Sequence, residues 1–306
     1  MAVPELPEVE TVRSELARWL PGKRISRVKI LHPRAVRRTS GPASHSLQNS
    51  RNVLIGAKIT GVNRRGKFLW LTFNRPHALV IHLGMSGQVH LPKVSPSTST
   101  STHLRAQIGF LNEKRELHFV DQRTFGYLSL EDLVEDDFEQ GRENGATTLI
   151  PQSLAHIAPD LMEVFIGSLH NFSLEVLNER IRTRKSEIKR VLLNQAVVSG
   201  IGNIYADEGL WAAKIHPETQ ANILTKREVD KLLRSLYEVM VQAIEVGGTS
   251  IDEHYKRVNG ESGYFDIELN AYGCDDEPCA RCGTLIQRLR FMNRSSHLCP
   301  KCQKKR

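Results

Sequence analysis

"CARCGTLIQRLRFMNRSSHLCPKC", residues 279–302, holds four of the chain's five cysteines in two CxxC knuckles. Each knuckle offers two thiolates from one tight turn. Two such pairs can close a tetrahedral sulfur shell around one zinc ion, with Zn–S near ~2.3 Å. The intervening "GTLIQRLRFMNRSSH" alternates as a β-hairpin does, which would bring Cys279 and Cys282 to the same end as Cys299 and Cys302. Two disulfides are the rival reading. They belong to oxidising compartments, and Glu5, Glu8 and Glu10 make the front of the chain the reverse of a secretory signal. One structural zinc and a cytoplasmic setting are therefore expected, with Cys274 left over as a bystander thiol.

The cysteine segment is also strongly basic. Residues 279–306 carry eight Lys/Arg and no acid, within a chain of net charge +8. Such an end suits a polyanion, since phosphate contacts supply most non-specific DNA affinity; a solvated basic tail is the bland alternative. Upstream of it the pattern is helical. Val229, Leu232, Leu233, Leu236, Met240 and Ala243 recur at helical spacing behind the capping box Thr225-x-x-Glu228, until Gly247-Gly248. Ile188, Val191, Leu192 and Gln195 share another face, and in "VVSGIGNIYADEGLW" Asn203 is placed to cap the helix after the glycines. Before residue 135 the pattern is mostly strand: "KITGV", "FLWLTF", "ALVIHL", "QVHL", "QIGFL" and "ELHFV", with "NEKR" as a turn. In front of these, Pro7 suits a first helical turn, and Val9, Val12, Leu16 and Leu20 mark one face up to Pro21-Gly22. The segment 95–102 is low-complexity and 247–265 is a long polar connection.

At 306 residues the chain can bury two cores, and 40% apolar residues exclude a disordered or collagen-like class. No apolar run reaches the ~20 residues a membrane span needs. The order is a β-rich domain of sandwich or barrel type, a helical domain and a zinc hairpin, an arrangement that suits DNA without specifying a reaction.

The reaction enters with a resemblance. "PELPEVETV" at 4–12, "GNIYADEGLW" at 202–211 and the C-terminal CxxC pair, in that order, resemble the bacterial formamidopyrimidine-DNA glycosylase family nearly end to end. The resemblance implies an α+β multidomain fold: an N-terminal β-sandwich with flanking helices over 1–135, a linker and the start of the helical region over 136–172, a helix–two-turn–helix domain over 173–265 and a zinc-finger hairpin over 266–306. It implies a monomeric base-excision repair enzyme acting on double-stranded DNA with oxidised purines, such as 8-oxoguanine, or abasic sites. An N-terminal proline would attack sugar C1′, and the resulting iminium would drive β- and δ-elimination. A terminal amine, with a pKa near ~8, keeps a usable neutral fraction at cellular pH. Pro4 matches that nucleophile, Glu5 the acid that protonates the ring oxygen, and Glu8 its support; a proline-started helix with acids at its positive end explains Pro7 and Glu8 but not Pro4-Glu5.

Pro4 follows Met1-Ala2-Val3, and an acylated proline nitrogen cannot form an iminium. Valine codons include GUG, a bacterial alternative start, so initiation at position 3 followed by Met removal would expose Pro4. The other reading is a damaged-DNA-binding protein that has given up catalysis. Carried over position by position, the resemblance makes Lys67, in "RRGKFLW", and His82, in "VIHLGMSG", phosphate contacts. It makes Met85, Arg123 and Phe125 the residues that fill the space left by an extruded base, as kinking and flipping proteins do. "DQRTFG" departs from the pattern, with Gln122 and Thr124 where Pro and Arg are usual. Lys189, Asn203 and Arg294 match further DNA contacts, Arg294 in the minor groove or on phosphate; a solvated lysine and a simple N-cap are the alternatives for the first two. Thr249, Ser250 and Tyr255 fall on the loop that would cover the extruded base.

Overall fold

Glu5 starts the first helix, α1 (Leu6–Trp19): its own N–H donates to the Glu8 carboxylate at 2.9 Å, closing a capping box. Pro7 lies in the first turn, where its missing N–H leaves nothing unpaired. The expected face is the buried one, with Val9, Val12, Leu16 and Leu20 in the core. Gly22, at φ 87°, then turns the chain towards the first strand, a conformation that disfavours any residue with a Cβ. The computed structural model describes residues 4–37, 53–94, 101–139, 148–167, 169–247, 258 and 269–306. The chain divides into two units. One holds Met1–Asp136, Thr148–Ala155 and Gly247–Phe265; the other holds Asp137–Thr147, His156–Val246 and Asp266–Arg306.

The first unit packs α1 with two antiparallel sheets. One sheet orders β1 (Ile25–Ile30), β6 (Leu104–Phe110), β7 (Glu116–Asp121) and β5 (Gly87–His90). The other orders β2 (Ile59–Arg65), β3 (Phe68–Phe73), β4 (Arg75–His82), β8 (Tyr127–Glu135) and β9 (Leu149–Pro151). Leu69, Leu71, Leu79 and Ile81 of one sheet and Ala106, Ile108, Leu117 and Phe119 of the other share a core with the helix. Burying a side chain of this size fully is worth roughly 1.5–3 kcal/mol. Strand β8 escapes the sequence pattern because Glu131 and Asp132 break its alternation; Glu131 is buried nonetheless, accepting the Ser153 N–H at 3.0 Å. Strand β9 pairs with β8, so part of the stretch expected as a linker is sheet. Of the stretch 247–265, expected with the helical domain, Gly247 and Val258 are described, and both group with this unit. The Val258 carbonyl accepts from Leu91 N at 2.8 Å, and the Val258 N–H donates to Glu15 at 3.0 Å.

The second unit contains α2 (Leu161–Ile166), α3 (Leu174–Arg182), α4 (Ile188–Leu192), α5 (Asn203–Ala213), α6 (Lys226–Val246) and the hairpin β10 (Gln287–Phe291) and β11 (Arg294–Leu298). All six predicted stripe residues of α6 are fully buried, and Thr225 and Glu228 form the predicted reciprocal cap. A Cβ at Gly209 would overlap Leu236, so this glycine lets α5 and α6 pack closely. Helix α4 is shorter than its apolar face suggested. Gln195 lies beyond it and braces the following turn, donating to Ile201 O at 3.0 Å and accepting from Gly200 N at 2.9 Å. No helix among the described residues is long and apolar enough to cross a membrane.

Candidate active site, DNA-contacting residues and zinc centre

Pro4 is half-buried directly ahead of α1, while Glu5 and Glu8 are almost wholly buried, at 2% and 6% exposure. Lys67 is half-buried on the two-residue turn between β2 and β3, where Gly66 takes the positive φ of 55° that such turns need. The helix and the turn are tied by two residues that sequence reading missed. Arg64 Nε donates to Glu10 Oε2 at 2.8 Å, and Arg64 Nη1 donates to Gly66 O at 3.2 Å. Arg13 completes the group, its Nη2 2.7 Å from Glu10 Oε1. Burial pushes the Glu10 carboxyl up, but the bonds and charges of Arg13 and Arg64 outweigh it, leaving the pKa below the usual carboxylate value. The local signal was Glu10 and Arg13 three apart on a helix; Arg64 has none, being 54 residues away.

His82 stands in a ladder across three strands, opposite Phe68 on β3 and Tyr127 on β8. Its ring lies 4.8 Å from that of Phe68 and 5.2 Å from that of Tyr127. Burial, then the charges of Lys67 and Arg37, lowers its pKa to about 4, so the imidazole is neutral at neutral pH. Nδ1 accepts the Gly84 N–H at 3.1 Å, which puts the ring proton on Nε2. In the free protein His82 therefore offers a neutral Nε2–H as a donor. Met85 lies on the turn that follows, and Arg123 and Phe125 on the loop between β7 and β8. Phe125 is 55% exposed, against the core position that a phenylalanine in a β domain usually takes, and the Arg123 guanidinium stacks 5.2 Å over its ring. Turn and loop touch backbone to backbone: a Cβ at Gly84 would stand 2.6 Å from the Phe125 carbonyl carbon.

In the second unit two expectations are corrected. Lys189, expected at a phosphate or in solvent, has no exposed surface. Its ammonium donates to Asp207 Oδ1 at 2.6 Å, Ser296 Oγ at 2.8 Å and Ser295 O at 2.9 Å. Asn203 does not cap α5; Gly202 does, and Asn203 is the first helical residue, its Nδ2 donating to the same Ser295 carbonyl at 3.0 Å. Asp207, another residue sequence reading missed, joins the hairpin through its second oxygen, which accepts from the His297 N–H at 3.0 Å. Neighbouring Glu208 accepts the backbone N–H groups of Ala271 and Tyr272, both at 2.8 Å; burial raises its pKa, with those bonds opposing. Arg294 is exposed at the hairpin tip, beside Met292, which is 50% exposed at φ 53°. Thr249, Ser250 and Tyr255 lie outside the described residues.

The four ligand sulfurs of Cys279, Cys282, Cys299 and Cys302 lie within 4.8 Å of one another. A tetrahedron with ~2.3 Å bonds sets its sulfurs about 3.8 Å apart, and Cys282 lies 3.5 Å from both Cys299 and Cys302. That separation suits a shared metal and exceeds the ~2.05 Å of a disulfide. Hydrogen bonds to Cys279 O from Cys282 N and Gly283 N, and to Cys299 O from Gln303 N, shape the two knuckles. Four protein ligands leave no open position, so this is a single structural zinc. Cys274 packs beside it, but burial, then Glu277, pushes its thiol up to about 11, which keeps it protonated and unreactive.

The family models match in the same order as these parts. The formamidopyrimidine-DNA glycosylase N-terminal domain matches residues 3–128, the H2TH domain of that glycosylase matches 167–254, and the zinc finger found in FPG and IleRS matches 276–305. The formamidopyrimidine-DNA glycosylase of Rhodococcus opacus is 48% identical over 303 residues, 99% of this chain and 97% of that protein. Among solved structures, a Lactococcus lactis FPG mutant in complex with a Fapy-dG containing DNA superposes with TM-score 0.79 at 31% identity, over 99% of this chain and 100% of that one. Lactococcus lactis Fpg with an abasic site containing DNA superposes with TM-score 0.77 at 31% identity, over 98% and 100%.

Proposed function

We propose, for a chain that belongs to the formamidopyrimidine-DNA glycosylase family, that Pro4 is the nucleophile of a base-excision repair glycosylase and abasic-site lyase. The substrate is double-stranded DNA carrying an oxidised purine, 8-oxoguanine or a formamidopyrimidine, or an abasic site. The protein works as a monomer in the cytoplasm. As the first residue of the mature chain, Pro4 carries a secondary amine that attacks C1′; the base leaves, and Glu5 protonates the ring oxygen as the sugar opens. The nitrogen becomes an iminium, and its positive charge acidifies the C2′ proton so that β- and then δ-elimination follow. Glu8 holds the Glu5 backbone and with it the start of α1.

The observation that carries this reading is the pair of buried carboxylates at the start of α1, directly behind a half-buried proline, in a helix that Arg64 ties to the turn bearing Lys67. Burying the Glu5 and Glu8 carboxylates costs desolvation that a purely structural cap, made by the neutral Ser or Asn, would avoid. Lys67 and His82 contact phosphates near the lesion, and Met85, Arg123 and Phe125 fill the vacated stack. Asn203 and Arg294 contact the DNA from the second unit, and zinc holds the hairpin that presents Arg294. Thr249, Ser250 and Tyr255 cover the extruded base.

The test joins N-terminal sequencing of the protein from its host to borohydride trapping on a duplex with 8-oxoguanine opposite cytosine. A chain that begins at Pro4 and is trapped covalently supports the enzyme. A chain that retains residues before Pro4 and binds the lesion without trapping would make it a lesion sensor.

A further inference from the structure

Asp121, at the end of β7, is a fully buried carboxylate that the reading above gives no role. Its backbone carbonyl accepts from Arg105 Nε at 2.7 Å, while the carboxylate accepts from a hydroxyl and two backbone N–H groups. Oδ1 accepts from Ser86 Oγ at 2.5 Å and from Arg123 N at 3.2 Å, and Oδ2 accepts from Gly126 N at 2.7 Å. Ser86 Oγ in turn accepts from Arg123 N at 3.1 Å. These bonds join two loops separate in sequence: the turn carrying Met85, and the loop carrying Arg123 and Phe125.

The two loops also meet without side chains between them. A Cβ at Gly84 would stand 2.6 Å from Gly126 N, and a Cβ at Gly126 would stand 2.7 Å from His82 O. Thr124 sits in the middle of the second loop at φ 56°, a left-handed conformation that is strained for a β-branched residue. The Asp121 bonds to Arg123 N and Gly126 N bracket it, so the carboxylate holds the strained residue in place. Arg123 and Phe125 leave the loop on either side of that residue, and their directions depend on it.

We infer that Asp121, through Ser86, is a positioning residue that locks the turn at Met85 and the loop at Arg123–Phe125 into one preformed wedge. The inference rests on the reading that Met85, Arg123 and Phe125 enter the base stack. A wedge set before binding does not have to be ordered at the moment the base leaves, so its loss slows excision of a stacked base. An abasic site has no base to displace and needs the wedge far less.

The test compares single-turnover base excision on an 8-oxoguanine:cytosine duplex with strand cleavage of a preformed abasic duplex. A 2-aminopurine next to the lesion reports unstacking. Asp121→Asn should slow excision about tenfold and Ser86→Ala about threefold, each reducing the 2-aminopurine signal and leaving abasic cleavage within about twofold. The double variant should be slower by less than the product of the two single effects, since both variants break the bond that Ser86 and Asp121 share. Equal losses in both activities, or no loss in excision, would overturn the inference; if Asp121→Asn fails to fold, Ser86→Ala decides alone. Met85→Ala and Phe125→Ala test the premise separately: if neither slows excision, the insertion reading fails, whatever Asp121 does.

Discussion

Lys67 and Lys189 look alike in sequence, each a lone lysine in a basic stretch close to a family motif, and the structure treats them in opposite ways. Lys67 is half-buried on a hairpin turn that Arg64 ties to α1. Lys189 is inside its unit, its ammonium surrounded by Asp207, Ser295, Ser296 and, at 5.5 Å, the Phe291 ring. A lysine buried this completely is tolerable only because an opposite charge and two further acceptors replace its water. Its work is to join α4 and α5 to the zinc hairpin. Basic residues near a family motif therefore divide into those left at the surface, within reach of a phosphate, and those that hold that surface together.

Zinc removal separates the two regions most sharply, because only one depends on it. Structural zinc is worth about 10 kcal/mol or more in small fingers. Chelation, or Cys299→Ser, should open the β10–β11 hairpin, expose it to limited proteolysis and weaken DNA binding by more than about 100-fold, leaving the β unit protected. A hairpin that stays protected without metal would mean that the Lys189 network suffices alone.

The lysines themselves come next. Lys189→Met strands Asp207 and should lower stability by about 3–5 kcal/mol in urea unfolding, with part recovered by adding Asp207→Asn. Lys67→Met should change stability by less than about 0.5 kcal/mol yet slow excision roughly 10–100-fold, the worth of one charged hydrogen bond. Were the two variants to behave alike, the two lysines would not differ in role.

The smallest effect concerns pH. His82 has a folded pKa of about 4, below the 6.5 of an unperturbed imidazole. The unfolded chain takes up that proton first, so the neutral ring contributes stability that is complete above pH 6.5 and is lost as pH falls towards 4. The contribution is on the order of 2 kcal/mol once its partial exposure is allowed for. His82→Gln should flatten the dependence of the unfolding midpoint over that window; an unchanged slope would show that other groups carry it.

Much of this molecule could be read from short stretches. The α6 stripe, its Thr225–Glu228 cap, the strands β2 to β7, the β10–β11 hairpin and the four zinc ligands all depend on spacing within one element or one turn. Strand β8 was missed because Glu131 and Asp132 disguise it, and β9 because three residues are too few to show a period. Asn203 was given a cap's role because Asn often takes it, when Gly202 already stood there. Glu10 with Arg64 and Asp121 with Ser86 join positions 54 and 35 residues apart, and nothing local marks such partners.

The sequence by itself determined which residues the chemistry could use: a proline followed by an acid, four cysteines at metal spacing, and apolar periods that place helices and strands. Whether a given charge faces water or the interior was decided only by tertiary structure. Periodicity is a property of neighbours along the chain, whereas desolvation depends on which distant atoms surround a group once it is folded. That is why Lys189 could be recognised in the sequence as a cation, and only in the fold as a buried one.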